Sequence, residues 1–300
     1  MHTPSQSRPL TGGLSFALGA YVIWGFLPLY FRALHGVPPV ELVAWRVLFT
    51  LPLCLAIITA RRQWPDLRAA VASRGTVLRL VASAVLIGGN WLLYVAAIQQ
   101  GHVLAASLGY YINPLLNVVL GTVVLGERLN RTRWAAVTIA AVGIALLLWG
   151  ALDMLGIALT LAVSFALYGL VRKTTPVGAV PGLTIETAVL VLPAAGGALW
   201  FAGQPSGSSM AAGPFTATLL VGSGVLTGVP LLLFALAARR LDLSTLGFVQ
   251  FLSPTIAFLL GVLVFREPLN PVKLACFVLI WLAIALFSHD MWKNRVRRQA

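Results

Sequence analysis

Apolar residues run through this chain in long, nearly unbroken stretches, with polar side chains gathered in the short connections between them. Ten stretches reach the length of about 20 residues that a helix needs to cross a bilayer. They lie near 11–31, 39–59, 77–98, 103–125, 132–150, 153–171, 182–202, 215–238, 244–265 and 271–289. No connection is long enough to hold a soluble domain. The pattern predicts an all-α integral membrane protein with ten transmembrane helices, and its chemistry must lie inside the membrane or at its rim.

The stretches repeat. Residues 81–130 align onto 221–270 without a gap at an offset of 140, with fifteen of fifty positions identical, where chance in so apolar a chain gives on the order of one in ten. Shared positions include Ser83/Ser223, Gly88/Gly228, Pro114/Pro254, Gly121/Gly261, Glu127/Glu267 and Asn130/Asn270. Five stretches fall in each half, and an odd number forces the halves into opposite orientations. The predicted architecture is two inverted five-helix repeats, 9–150 and 151–290, followed by a basic tail at 291–300. That layout is typical of transporters.

Composition agrees, with 59% hydrophobic and 10% charged residues, and the net charge of +13 is explained by position. With a cytoplasmic N-terminus, seventeen of the twenty-one basic residues fall in inside segments, among them Arg172, Lys173, Arg239 and Arg240. Arg32, Arg266 and Lys273 fall outside, and Arg46 lies within a helix. This bias predicts that both termini are cytoplasmic and that nucleic acid is not a partner. Residues 61–80 are the most basic connection, read as a topogenic loop in preference to a lipid-binding surface helix. Residues 1–10 lack the features of a signal peptide. Cys54 and Cys276 fall mid-helix as packing residues, and the four histidines lack metal-ligand spacing, so no metal or cofactor is expected.

A polar side chain in hydrocarbon is costly unless it faces protein or a wet cavity, which makes the intramembrane polar set the candidate list. In the fourth stretch Ser107, Tyr110, Asn113 with Pro114, Asn117 and Gly121 share one helical face. In the ninth, Gly247, Gln250, Ser253 with Pro254, Ala257 and Gly261 occupy the matching face. These two helices are expected to line a common cavity, with Pro114 and Pro254 as paired hinges, since each removes a backbone hydrogen bond. Asn90 and Tyr94 in the third stretch, Tyr21 and Trp24 in the first and Tyr168 in the sixth add aromatic and polar candidates to that lining.

Two ionisable residues lie well inside predicted helices, Arg46 and Glu186. Inversion puts Arg46 toward the outer side and Glu186 toward the inner side, roughly 13 Å apart in depth at 1.5 Å per residue, which argues against a direct ion pair. Glu186 is the coupling candidate, with a proton as the ion. Glu127 and Glu267 end the fourth and ninth stretches and are expected to fix the turns that follow. The fifth and tenth stretches carry almost no polar side chains and suit a peripheral position or a homodimer contact.

The segments AYVIWG (Ala20–Gly25), NWLLYVAA (Asn90–Ala97), SLGYYINPLLN (Ser107–Asn117), LGERL (Leu125–Leu129), YGLVRK (Tyr168–Lys173) and STLGFVQFLSPT (Ser244–Thr255) closely resemble the RarD subfamily of EamA transporters, in the drug/metabolite transporter superfamily. The resemblance spans about residues 9–290. It implies two EamA repeats, a bacterial inner-membrane location and export of small metabolites or drugs, with amphenicols as one candidate class. Phe265–Leu269 depart from the GERL pattern of the first repeat, so the two helix-end turns need not be equivalent.

The chain has no GxxxxGK phosphate loop, so ATP cannot drive it by that route, and a secondary transporter acting by alternating access on a small molecule is the leading function. An integral-membrane enzyme acting on a lipid or small amphiphile is the alternative, but such chemistry usually needs clustered carboxylates or a metal, and the eight acidic residues here are scattered singly.

Overall fold

The computed structural model describes residues 10–100, 103–149, 155–266 and 271–299. Among these there is no strand, and the helices follow the apolar stretches closely: α1 (Leu10–Ala33), α2 (Pro39–Ala60), α3 (Trp64–Ala72), α4 (Arg74–Gln99), α5 (Val103–Val123), α6 (Arg131–Leu148), α7 (Leu155–Thr174), α8 (Ala179–Ala202), α9 (Pro214–Ala238), α10 (Leu243–Gln250), α11 (Leu252–Leu263) and α12 (Pro271–Gln299). Nine spans among the described residues are long and apolar enough to cross a membrane, with α10 and α11 counted as one. The 21-residue α5 supplies the tenth. Large apolar side chains are bare on the outer surface, Leu192 at 81% and Leu199 at 73% exposure, as expected where lipid takes the place of water. Trp134, Trp149, Trp200 and Trp292 are exposed near helix ends, the level of an interfacial aromatic belt.

Successive membrane helices run in opposite directions, so one face of the bundle carries the start of α1 and the end of α12. We call it the terminal face and its opposite the far face. Cross-links at each level fix this arrangement. At the terminal face Asp290 meets Asn130 at 2.7 Å and Arg133 at 2.9 Å. At the far face Tyr30 donates to the Leu219 carbonyl at 2.5 Å.

Packing is two-fold symmetric and crosses the repeats. Helices at matching positions pair with each other: α2 with α8, α5 with α10, α6 with α12. The remaining main contacts come in mirrored sets, α1 on α9 with α7 on α4, and α5 on α7 with α1 on α10 and α11. The apolar α6 and α12 pack together at the edge, where a Cβ on Gly143 would lie 3.1 Å from the Leu279 Cβ.

Three local features depart from expectation. The basic connection is not a plain loop: residues 64–72 form α3, which packs on α4 and α8 through Leu67 and the buried Ala70 while Trp64 and Val71 stay exposed. The paired prolines do not act alike. Pro254 has no N–H for the Gln250 carbonyl, and the helix breaks there, Phe251 N–H turning back to the Phe248 carbonyl at 3.3 Å. Pro114 sits inside an unbroken α5. The helix-end glutamate Glu127 does more than close its own turn, since its carboxylate accepts from the backbone of Leu243 at 2.5 Å, from Ser244 N at 2.9 Å and from the Ser244 hydroxyl. It thus caps the N-terminus of α10 in the other repeat, a favourable place for a negative charge. Glu267 lies outside the described residues.

Candidate functional site

The polar residues predicted to line a pathway occupy two levels with different surroundings. Toward the far face, Arg46 on α2 is half-buried among α1, α4, α5 and α9. Its Nε donates to the Thr227 hydroxyl at 2.8 Å, and its guanidinium carbon lies 5.1 Å from the Trp91 ring and 5.8 Å from the Phe31 ring. The hydroxyls of Tyr30, Tyr94 and Tyr110 are within its electrostatic reach. Tyr94 and Tyr110 pack edge to face at 5.5 Å, and Tyr110 is 37% exposed although it lies a third of the way along a membrane helix. A partly accessible arginine and two partly accessible tyrosines thus gather among five helices toward the far face.

Toward the terminal face the same central region is closed. Tyr21, Tyr168 and Phe234 are fully buried, Tyr168 stacking on Phe234 at 5.8 Å. Trp24 is half-buried above them, with its ring 5.6 Å from Tyr21 and 5.8 Å from both Phe165 and Phe234. Asn117 donates to Asn113 Oδ1 at 3.2 Å and to Gln250 Oε1 at 2.9 Å, and Asn113 donates to the Ala162 carbonyl at 2.7 Å. Nearer the far face, beside Trp91 in the chain, Asn90 ties α4 to α7 through the Leu161 carbonyl and the Ser164 hydroxyl. In this conformation Asn90, Asn113, Asn117 and Gln250 therefore hold helices together, and Ser107 is half-buried on α5. The symmetric stripe does meet across the repeats, because a Cβ on Gly247 would lie 2.6 Å from the Pro114 carbonyl. Only glycine lets α10 approach α5 this closely.

Glu186 is buried, and its partner is not Arg46. Ser83 donates to Glu186 Oε1 at 2.5 Å, and Arg172 Nη1 lies 3.5 Å from the same oxygen. Arg172 also donates from Nη2 to the Ala179 carbonyl at 3.1 Å. The expectation of only two ionisable residues deep in helices is corrected here: Arg172 is 2% exposed and faces the interior instead of the cytoplasmic rim. Space for it comes from Gly182, where a Cβ would collide with Arg172 Nη1. The second Glu186 oxygen has no hydrogen-bond partner among the described residues. A cavity of about 10 Å³, room for about one water, lies between Glu186, Trp91 and Thr227.

Two more groups escaped the sequence reading. Glu41 is fully buried and accepts from Trp45 Nε1 at 3.1 Å, Ser208 Oγ at 2.6 Å, Ser209 N at 2.9 Å and Ser209 Oγ at 2.6 Å, fastening the far-face connection to α2. Lys173 donates to the carbonyls of Ala238, at 3.2 Å, and Leu241. An acid in a first helical turn and a base in a last one read as ordinary dipole partners, so nothing local marked either as a tie between elements. For Arg172 a signal existed, a carboxylate with no predicted partner and a glycine four residues before it.

The partly accessible arginine and tyrosines, set above a buried polar layer, present a charged donor and ring faces of the kind that bind small solutes. The EamA-like transporter family matches residues 11–149. Protein RarD of Escherichia coli (strain K12) is 44% identical over 93% of this chain and 94% of its own length. An uncharacterized transporter, YojE, of Bacillus subtilis (strain 168) is 38% identical over 94% and 96%, and the chloramphenicol-sensitive protein RarD of Pseudomonas aeruginosa is 30% identical over 96% and 97%. A protein of known crystal structure superposes with a TM-score of 0.73 over 93% of this chain and 97% of the other at 20% identity, a likeness of fold. With two repeats packed across each other and whole-length relatives of this similarity, the chain is a multi-pass membrane transporter that belongs to the RarD subfamily of the EamA family.

Proposed function

We propose that the protein exports small metabolites or drugs by alternating access, from a bacterial inner membrane in which both termini are cytoplasmic. The reading rests on one observation, the unequal access of the two halves of the central region. Tyr94, Tyr110 and Arg46 keep part of their surface accessible, and in this proposal they line a vestibule open to the far face, whereas Tyr21, Tyr168, Arg172 and Glu186 are fully buried toward the terminal face. An outward-open state of an exporter has this form. The basic residues of the terminal face, among them Arg61, Arg62, Arg131 and Lys293, support the cytoplasmic assignment.

Glu186 is the coupling and gating group in this proposal. It bridges α4, α7 and α8, and one of its oxygens borders the small cavity below Trp91 and Thr227. A proton arriving there neutralises the carboxylate and weakens its hold on both Arg172 and Ser83, which frees α8 to part from α7 and α4. Pro254 and the break at Phe251 are the proposed hinge. The Glu186→Gln variant fixes the neutral state with little change in shape. In proteoliposomes it should lose accumulation driven by a pH gradient yet keep solute exchange, and unchanged accumulation would remove Glu186 from the coupling role.

A further inference from the structure

We propose that the vestibule selects monoanionic solutes with a flat aromatic body, and that Arg46 is the residue that selects them. The inference rests on the transporter reading above and names the solute class for the same vestibule.

Three observations carry it. First, Arg46 is a cation without an acid: among the described residues its side chain donates one hydrogen bond, from Nε to Thr227, and forms no salt bridge with a carboxylate. A charge so placed is costly unless something pairs with it. Glu186 does not, being taken up by Arg172 and Ser83.

Second, the guanidinium is held in one attitude. Thr227 fixes the Nε edge while Trp91 and Phe31 pack on the group at 5.1 and 5.8 Å. What remains is the edge formed by the two Nη groups, whose paired N–H bonds match the two oxygens of a carboxylate. One cation in the vestibule balances a single negative charge. A doubly charged phosphate ester would leave one charge unpaired in a site with no second base.

Third, the walls beside that edge are aromatic and accessible. Tyr94 and Tyr110 meet edge to face at 5.5 Å, and Trp24 and Trp91 are half-buried deeper in. Rings with polar tips stack on a flat apolar body and orient it by hydroxyl groups. A neutral amide of the same shape keeps the stacking and loses the charge-assisted pair.

The test uses the purified full chain and four probes: 3-phenylpropanoate, its primary amide, hexanoate and phenyl phosphate. Thermal stabilisation in detergent reads binding, and counterflow of labelled 3-phenylpropanoate in proteoliposomes reads transport. The acid should bind at least tenfold more tightly than each of the other three. Arg46→Gln should remove that preference, and Arg46→Lys should keep part of it, since ammonium supplies charge without the fork. If Arg46→Gln fails to fold, Thr227→Val provides the second variant, which frees the Nε edge and should weaken the acid alone. Equal binding of acid and amide, or an acid preference that survives both Arg46 variants, overturns the proposal. Hexanoate binding as tightly as the acid overturns the aromatic part, and tighter phenyl phosphate overturns the carboxylate part. Arg46-dependent binding without counterflow keeps the selectivity and refutes transport. Counterflow of neutral chloramphenicol that 3-phenylpropanoate does not inhibit keeps transport and refutes the selectivity.

Discussion

The two halves of the central region are built from equivalent helices, yet they differ in what holds them. The far half is a lone guanidinium among accessible aromatic rings, while the terminal half is a fully buried set of Glu186, Arg172, Ser83, Asn117 and Gln250 joined by hydrogen bonds and sealed by Tyr21, Tyr168 and Phe234. The difference teaches that the seal is polar at its centre. Polar links that water or a solute can replace open more easily than an apolar plug, and a transporter needs a seal that yields.

The largest effect is expected where this polarity is most concentrated. Arg172→Met leaves Glu186 buried without its counter-charge and should cost roughly 3–5 kcal/mol, measured by unfolding in detergent. Adding Glu186→Gln in the same chain should recover most of the loss, and failure to recover would show that Arg172 matters through packing on Gly182. A smaller loss, about 1 kcal/mol, is expected for Asn117→Leu, which cuts the link to Gln250. With Cys276→Ala as background, the native Cys54 thiol, buried in the closed half, should then react faster with a permeant maleimide. No change in its rate would mean that the amide link is not part of the seal.

Replacing Pro254, the proposed hinge, should alter rate more than stability. Pro254→Ala restores a donor for the Gln250 carbonyl and should slow exchange and the hydrogen exchange of residues 248–252, whereas Pro114→Ala, in a helix already continuous, should do little. Equal effects of the two would restore the symmetry that the structure lacks. The smallest change belongs outside both halves. Asp290→Asn at the terminal face removes the charge that the buried Asp290 presents to Arg133 but keeps an acceptor for Asn130, and it should cost about 1 kcal/mol and leave transport unaltered.

The spans, their number and the inversion were legible because lipid imposes one requirement on every residue of a crossing helix, and that requirement is written locally. Partners were not. Arg172 sits next to Lys173 at a helix end, where a basic pair looks topogenic, and only the approach of α8 with Gly182 turns one of the two inward. Asn113 and Gln250 are polar groups that need a partner within the membrane, but sequence alone cannot say whether water, solute or another amide supplies it. The proline pair shows a related limit, since identical residues at symmetric positions gave a break in one helix and none in the other.

The interleaving of the repeats has a consequence for how the chain is made. Nearly every helix of the first half has its main neighbours in the second: α1 on α9, α2 on α8, α5 on α7 and α10, α6 on α12. At synthesis rates of about 5–20 residues per second, helices that pair at the repeat offset of 140 residues, such as α2 with α8 and α6 with α12, wait roughly 7–28 s for each other. During that interval Asn113, Asn117 and Ser83 are in the bilayer before Ala162, Gln250 and Glu186 have left the ribosome. The nascent first half must therefore rest on temporary partners, and insertion machinery or lipid headgroups have to cover its polar face until the second half arrives.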